Sequence, residues 1–289
     1  MELSGWDAAT LVAKAITYAA TLGAAGAVFF LAYSGSLLQE SQRARIRRLS
    51  GVLAVSAAAI CCARILLLAG SMSGDLAGMF DISLQRMILN HGEGRASGLR
   101  IAGLALTALA LSSSPRALNY ALLGAIIAST SFAWVGHIHA LPHWYPGLVL
   151  SLHLTCAAFW LGALLPLLIV ANDGTEPQVA AVVGRFGKLA LTAVGLLLAA
   201  GAILLWTLIV DASTFWSSAY GVMMATKLLA AGMLLCIAAV NKLHLTPRLM
   251  NRDPKAVGLL RRSIRAEIVC AALILLITAA FTTLTGPPH

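Results

Sequence analysis

The chain has 289 residues, of which 60% are hydrophobic and only 11% charged, against about 25% charged in an ordinary soluble domain. With 25 Gly, 9 Pro and 5 Cys and a mean hydropathy of +0.87, the composition excludes a water-covered single core, a disordered chain, a collagen-like repeat and a disulfide-stapled secreted domain. What remains is a polytopic membrane protein, because its apolar runs are about twenty residues long and must meet lipid.

In chain order, apolar runs bounded by charge or by Pro and Gly predict spans at 8–33, 50–70, 98–113, 117–136, 148–170, 186–210, 220–241 and 263–285. The expected fold is an all-α membrane protein, an eight-transmembrane-helix bundle forming one polytopic domain over 1–289. Continuous apolarity argues against a barrel, whose strands alternate.

Arg43, Arg45, Arg47, Arg48, Arg116, Arg185, Lys188, Lys242, Arg248, Arg252, Lys255, Arg261 and Arg262 fall in alternate loops, while the opposite loops hold only Arg86, Arg95 and Arg100. Basic residues stay cytoplasmic, so both termini are expected on the outer side. This asymmetry accounts for the formal charge of +9, and no nucleic-acid partner is inferred from it. Glu2 and Asp7 stand where a removable signal peptide needs basic residues, so none is expected.

Against that topology, six of the seven histidines lie at or near the outer face: His91, His137, His139, His143, His153 and His289; only His244 is cytoplasmic. Met72, Met79 and Met87 follow the second span, and Met223 and Met224 lie one turn into the seventh. Imidazole suits Cu(II), Zn and Ni, and thioether adds a preference for Cu(I), so this surface reads as copper handling. His153 lies inside an apolar helix, where an ionisable group is costly and usually functional. It shares a face with Cys156 at i+3 and Trp160 at i+7, of which Cys156 is a soft-donor candidate and Trp160 a packing residue. The bland reading of each histidine is an interfacial polar residue, and of His153 an interhelical hydrogen bond. The five cysteines fall within spans and contain no CxxC pair.

Lys14, Arg64, Lys227, Arg265 and Glu267 are charges within the spans. Arg265 and Glu267 are expected to snorkel at the cytoplasmic end. Arg64 and Lys227 lie about 10 Å deep at 1.5 Å per residue and need a partner, for which Asp75, Asp81 and Asp211 are the candidates. The sequence has no Walker loop, dinucleotide fingerprint, HExxH or GxSxG motif, so no enzyme is indicated, and any transport runs downhill, on an ion gradient or with a partner.

The stretch GRFGKLALTAVGLLLAAGAILLW, followed by AYGVMMATKLLAAGMLLCIAAVNKLHLTPRL, resembles the copper resistance protein D family of bacterial inner-membrane proteins through Arg185, Phe186, Leu189, Gly201, Tyr220, Gly221, Lys227, Asn241 and Pro247. Gly136 with His137, HLTCAAFWLGALLPL from His153 to Leu167, and Arg100 are also similar to that family, whose core this chain most resembles over 184–284. Ala200 departs from the family, which often has Thr there. The resemblance implies a multi-pass protein of the cytoplasmic membrane that handles copper, Cu(I) or Cu(II), as an importer, together with a periplasmic carrier resembling copper resistance protein C. It implies His137 and His153 as ligands, then His91, with His139, His143, Met79, Met87, Met223 and Cys156 as further metal candidates. Lys227, Arg64, Arg100 and Trp160 are support. Two other readings stay open: a b-type haem cytochrome with histidines on facing helices, and a copper-delivery assembly factor that needs no route across the bilayer.

Overall fold

The computed structural model describes residues 4–135, 144–209 and 211–285, and these are helical apart from short connections, without strands. The helices are α1 (Gly5–Ser34), α2 (Glu40–Ser73), α3 (Ile82–Asn90), α4 (Gly92–Ala108), α5 (Pro115–Thr130), α6 (Tyr145–Gly162), α7 (Leu164–Asp173), α8 (Glu176–Leu208), α9 (Ala212–Ser217), α10 (Ala219–Val240), α11 (Thr246–Met250) and α12 (Ala256–Leu284). Among the described residues, seven helical segments are long and apolar enough to cross a membrane: α1, α2, α5, α6 with α7, α8, α10 with α11, and α12. The remaining predicted span, 98–113, falls on α4, a shorter helix of 17 residues that carries Glu93, Arg95 and Arg100.

α1 is the centre of the bundle. It buries an unbroken run from Ala20 to Val28 and packs against α2, α5, α6 and α12. Small residues permit this all-round contact. A Cβ added to Gly26 would overlap the backbone of Ala158 and Gly162 on α6, so α1 and α6 touch backbone to backbone. Pro166 lies just after the break between α6 and α7; lacking an N–H, it cannot close the bond to the Gly162 carbonyl.

The long helices alternate in direction. Arg45 pairs with Asp173, and Arg261 Nε donates to the Ala171 carbonyl at 2.8 Å, at one arginine-rich end. Five of the six tryptophans, Trp6, Trp134, Trp144, Trp206 and Trp216, lie in segments at the opposite end, as expected of an aromatic belt at a membrane interface. Outward-facing Leu191, Val222, Leu229 and Val269 are exposed, which in this setting means lipid-facing.

The predicted helix ends need correcting at the arginine-rich end. α2 begins ten residues before the predicted span and α8 also ten before, so Arg43, Arg45, Arg47, Arg48 and Arg185 sit on helical turns rather than in loops. Hydropathy marks where a helix meets lipid, and α2 with 34 residues is about 51 Å long against a hydrocarbon layer of about 30 Å. Arg100 is also not at a helix start: it lies eight residues into α4 and is 1% exposed.

Candidate copper-binding sites

Two histidines have the same backbone-anchored geometry. His91 closes α3, and its Nδ1 stands 2.7 Å from the Met87 carbonyl oxygen. His153, on α6, has Nδ1 3.0 Å from the Leu197 carbonyl oxygen of α8. A carbonyl only accepts, so in each ring Nδ1 carries the proton and the lone pair of the neutral imidazole is on Nε2. A backbone carbonyl on one nitrogen, orienting the ring and raising the basicity of the other, is the usual support of a metal-bound histidine.

Around His91 this becomes a pocket. Leu68 and Met72 from α2, Met87 and Ile88 from α3, His91 and Glu93 line a cavity of about 240 Å³. α3 creates it by folding back between α2 and α4: Asp81 caps its N-terminus through Ser83 and Leu84 N–H groups, and one α-helical turn then brings Met87 and His91 together at i, i+4. Glu93 Oε1 accepts a hydrogen bond from Arg64 Nη2 at 2.8 Å. Arg64 therefore offsets the carboxylate charge, and the remaining donors, two thioethers and an imidazole, are soft ones that favour Cu(I). Among the described residues no group of three or more His, Cys, Asp or Glu side chains gathers; methionine makes this site what it is. Glu93 was not among the expected ligands, and Met72 was expected only as part of the outer methionine surface. Met79 packs its side chain at Gly70, beside Trp6, rather than on this cavity.

His153 is built from the opposite half of the bundle. It lies eight residues into α6, about 12 Å along the helix, and packs on α8 where Gly201 leaves room: a Cβ there would stand 3.3 Å from His153 Cε1. Lys227, on α10, is within electrostatic reach of the ring. Its ammonium lies 5.5 Å from the centre of the Phe281 ring, a cation–π contact. Phe281 also packs in a buried cluster with Phe215, Tyr220 and Met224, against which Met223 is half-buried. Cys156 is buried one turn from His153, and Trp160 is buried in the core. His91 and His153 belong to separate sites, one formed by α2, α3 and α4 and the other by α6 and α8. His137, His139 and His143 lie outside the described residues.

The expected aspartate partners are otherwise engaged. Asp75 holds Ser73 Oγ and the Gly78 N–H, Asp81 caps α3, and Asp211 caps α9. The Ser213 hydroxyl, then the Thr214 groups, hold the Asp211 carboxyl down at about 2, and the Ser83 hydroxyl with two N–H groups lowers that of Asp81. Short polar side chains at a helix start satisfy the nearest free N–H groups first. Glu93 serves Arg64 instead, and Lys14 Nζ donates to the Thr282 carbonyl of α12 at 2.9 Å. Arg100 donates to Ser131 Oγ at 3.0 Å, approaches Cys61 Sγ at 4.0 Å and lies 3.8 Å over the Phe132 ring. Lys14, Arg64, Arg100 and Glu93 are within electrostatic reach of one another, three cations against one carboxylate. Glu267 does not snorkel: it is 5% exposed and accepts from Asn241 Nδ2 at 2.5 Å, while Arg265 is exposed.

Sequence comparison gives this donor chemistry its context. Residues 180–281 match the family described as copper resistance protein D, and residues 5–145 match the copper resistance protein D-like N-terminal domain. The chain belongs to the copper resistance protein D family. It is also similar to the copper transport protein CutJ of Bacillus subtilis (strain 168), with 26% identity over 99% of this chain and 54% of the relative, so the chain spans about half that protein's length. No solved structure matches. A copper-handling, multi-pass membrane protein is thus supported by family, composition and helices alike.

Proposed function

We propose that this member of the copper resistance protein D family imports copper across the bacterial cytoplasmic membrane, with the arginine-rich end cytoplasmic, both termini periplasmic and α4 as an eighth span. The observation that carries the reading is the pair of carbonyl-anchored histidines, His91 in a methionine-lined cavity and His153 within the bundle. Met72, Met87 and His91 capture copper at the outer end, joined by His137, His139 and His143. His153 receives the ion in the membrane, with Cys156 and Met223 as further soft donors. The route runs through the C-terminal half, because Lys14, Arg64 and Arg100 make the interior of the N-terminal half positive and unfavourable to a bare cation. Lys227 stands beside His153, where its charge favours release over retention. A periplasmic carrier resembling copper resistance protein C delivers the ion.

The test is copper uptake into proteoliposomes by the wild-type protein, His153→Ala and Met87→Leu. Loss of uptake in His153→Ala, with a raised half-saturation concentration in Met87→Leu, supports the route. Wild-type uptake by both folded variants overturns it. A Soret band in the purified protein would assign the histidines to haem instead.

A further inference from the structure

A second cavity lies away from both histidines. It holds about 360 Å³ near the arginine-rich end, between α8 and α10, with α12 behind it. Most of its wall is aliphatic or aromatic, but Asn241, Lys242, Thr246 and Glu267 also line it. Glu267 lies eleven residues into α12, about 16 Å along that helix. Its carboxylate accepts a hydrogen bond from the Asn241 amide, which donates through Nδ2. That bond uses Nδ2 of the amide, while Asn241 Oδ1 is buried with no hydrogen-bond partner.

Asn241 opens a π-helical turn, Asn241–Leu245, at the end of α10. Pro247 explains the turn, since a proline ring clashes with the carbonyl four residues back and a wider turn relieves it. Such turns often place a side chain at a functional position. Lys242 is the other charged group lining the cavity, but it is exposed and its Nζ reaches the Gly187 carbonyl on α8 at 3.4 Å. A buried carboxyl that receives a single amide hydrogen bond, beside an orphan amide oxygen, leaves more acceptors than donors at this spot; such an excess is costly to bury unless something positive completes it.

We propose that Glu267 and Asn241 form a binding site for a small hard cation, a proton or Na+, in the arginine-rich half of the bundle. The two oxygens are hard donors that suit such an ion and not Cu(I). The site stands whether or not copper crosses the protein; its use as the coupling ion of a transporter without a nucleotide-binding motif rests on the transport reading above.

The test is infrared difference spectroscopy on the purified protein in nanodiscs, with no copper added. One arm steps pH at fixed choline chloride, and the other adds sodium chloride at fixed pH. A carboxylic C=O band that appears on acidification and is missing in Glu267→Gln assigns a proton. A carboxylate band that shifts on sodium addition and is missing in Glu267→Gln assigns Na+. Asn241→Ala keeps the carboxyl and is expected to move the midpoint of either response about tenfold in concentration, the effect of losing one hydrogen bond to a charged group. Spectra of Glu267→Gln that equal the wild type in both arms overturn the proposal. Where Glu267→Gln does not fold, wild-type midpoints in Asn241→Ala overturn it equally.

Discussion

Gly201→Ala separates the role of His153 from the stability of the bundle. The added methyl would stand 3.3 Å from His153 Cε1 and 3.5 Å from Nδ1, closer than the 3.5–4.0 Å at which carbon atoms pack without repulsion (roughly the van der Waals optimum). The ring must withdraw by a few tenths of an ångström, which stretches its 3.0 Å bond to the Leu197 carbonyl and turns Nε2 away from its anchored direction. Loosening such a support costs about 10–100-fold in metal affinity. Helix propensity acts the other way, since Ala in place of a mid-helix Gly stabilises by roughly 0.5–1 kcal/mol. The expected variant is therefore folded, no less heat-resistant than the wild type, and weakened at least tenfold in copper binding. Competitive Cu(I) titration alongside thermal unfolding in detergent reads both quantities. Unchanged copper affinity in a stable Gly201→Ala protein would refute the reasoning that the His153–Leu197 bond orients a ligand.

Gly26→Leu should disrupt the crossing of α1 and α6, because the new side chain meets backbone that cannot rotate away; overpacking costs about 1–3 kcal/mol, read as a lower unfolding temperature or loss of monodispersity. Glu93→Gln leaves Arg64, 12% exposed, facing a neutral partner, for an expected loss of about 1–2 kcal/mol, between the surface and buried cases; adding Arg64→Met should restore most of it, and chemical unfolding of the two proteins checks this. The Asp211 carboxyl is held near 2 in the folded protein, below its usual value of about 4. A depressed carboxylate stabilises above its unfolded value and loses that contribution as pH falls toward 2, so the cap of α9 should weaken between about pH 4 and pH 2. Asp211→Asn should flatten that dependence in a Trp216 fluorescence titration.

The long helices were legible in the sequence because lipid selects apolar runs of spanning length, and each predicted span overlaps a helix of the described residues. Their ends were not, since α2 and α8 continue past the bilayer on charged turns that hydropathy reads as loops. Charges were misread for a related reason: Arg100 and Glu267 look like boundary residues by sequence, yet an aromatic ring with a hydroxyl, and an amide, make burial tolerable. His91 and His153 stood out as imidazoles, but their carbonyl partners could not. Sequence spacing gives Met87 and His91 as i, i+4 neighbours, whereas Met72 and Glu93 join them only through the fold-back of α3. Glu93 owes its role to Arg64, which the fold brings opposite it from α2.

The most direct test of the account is copper stoichiometry and affinity in the purified protein, comparing wild type with His153→Ala, with Met87→Leu/His91→Ala, and with all three substitutions combined. The account predicts two separable copper sites: one lost in His153→Ala, the other in the Met87/His91 variant, and both lost in the combined protein with its helical content intact. Full copper loading of the folded combined variant would contradict it.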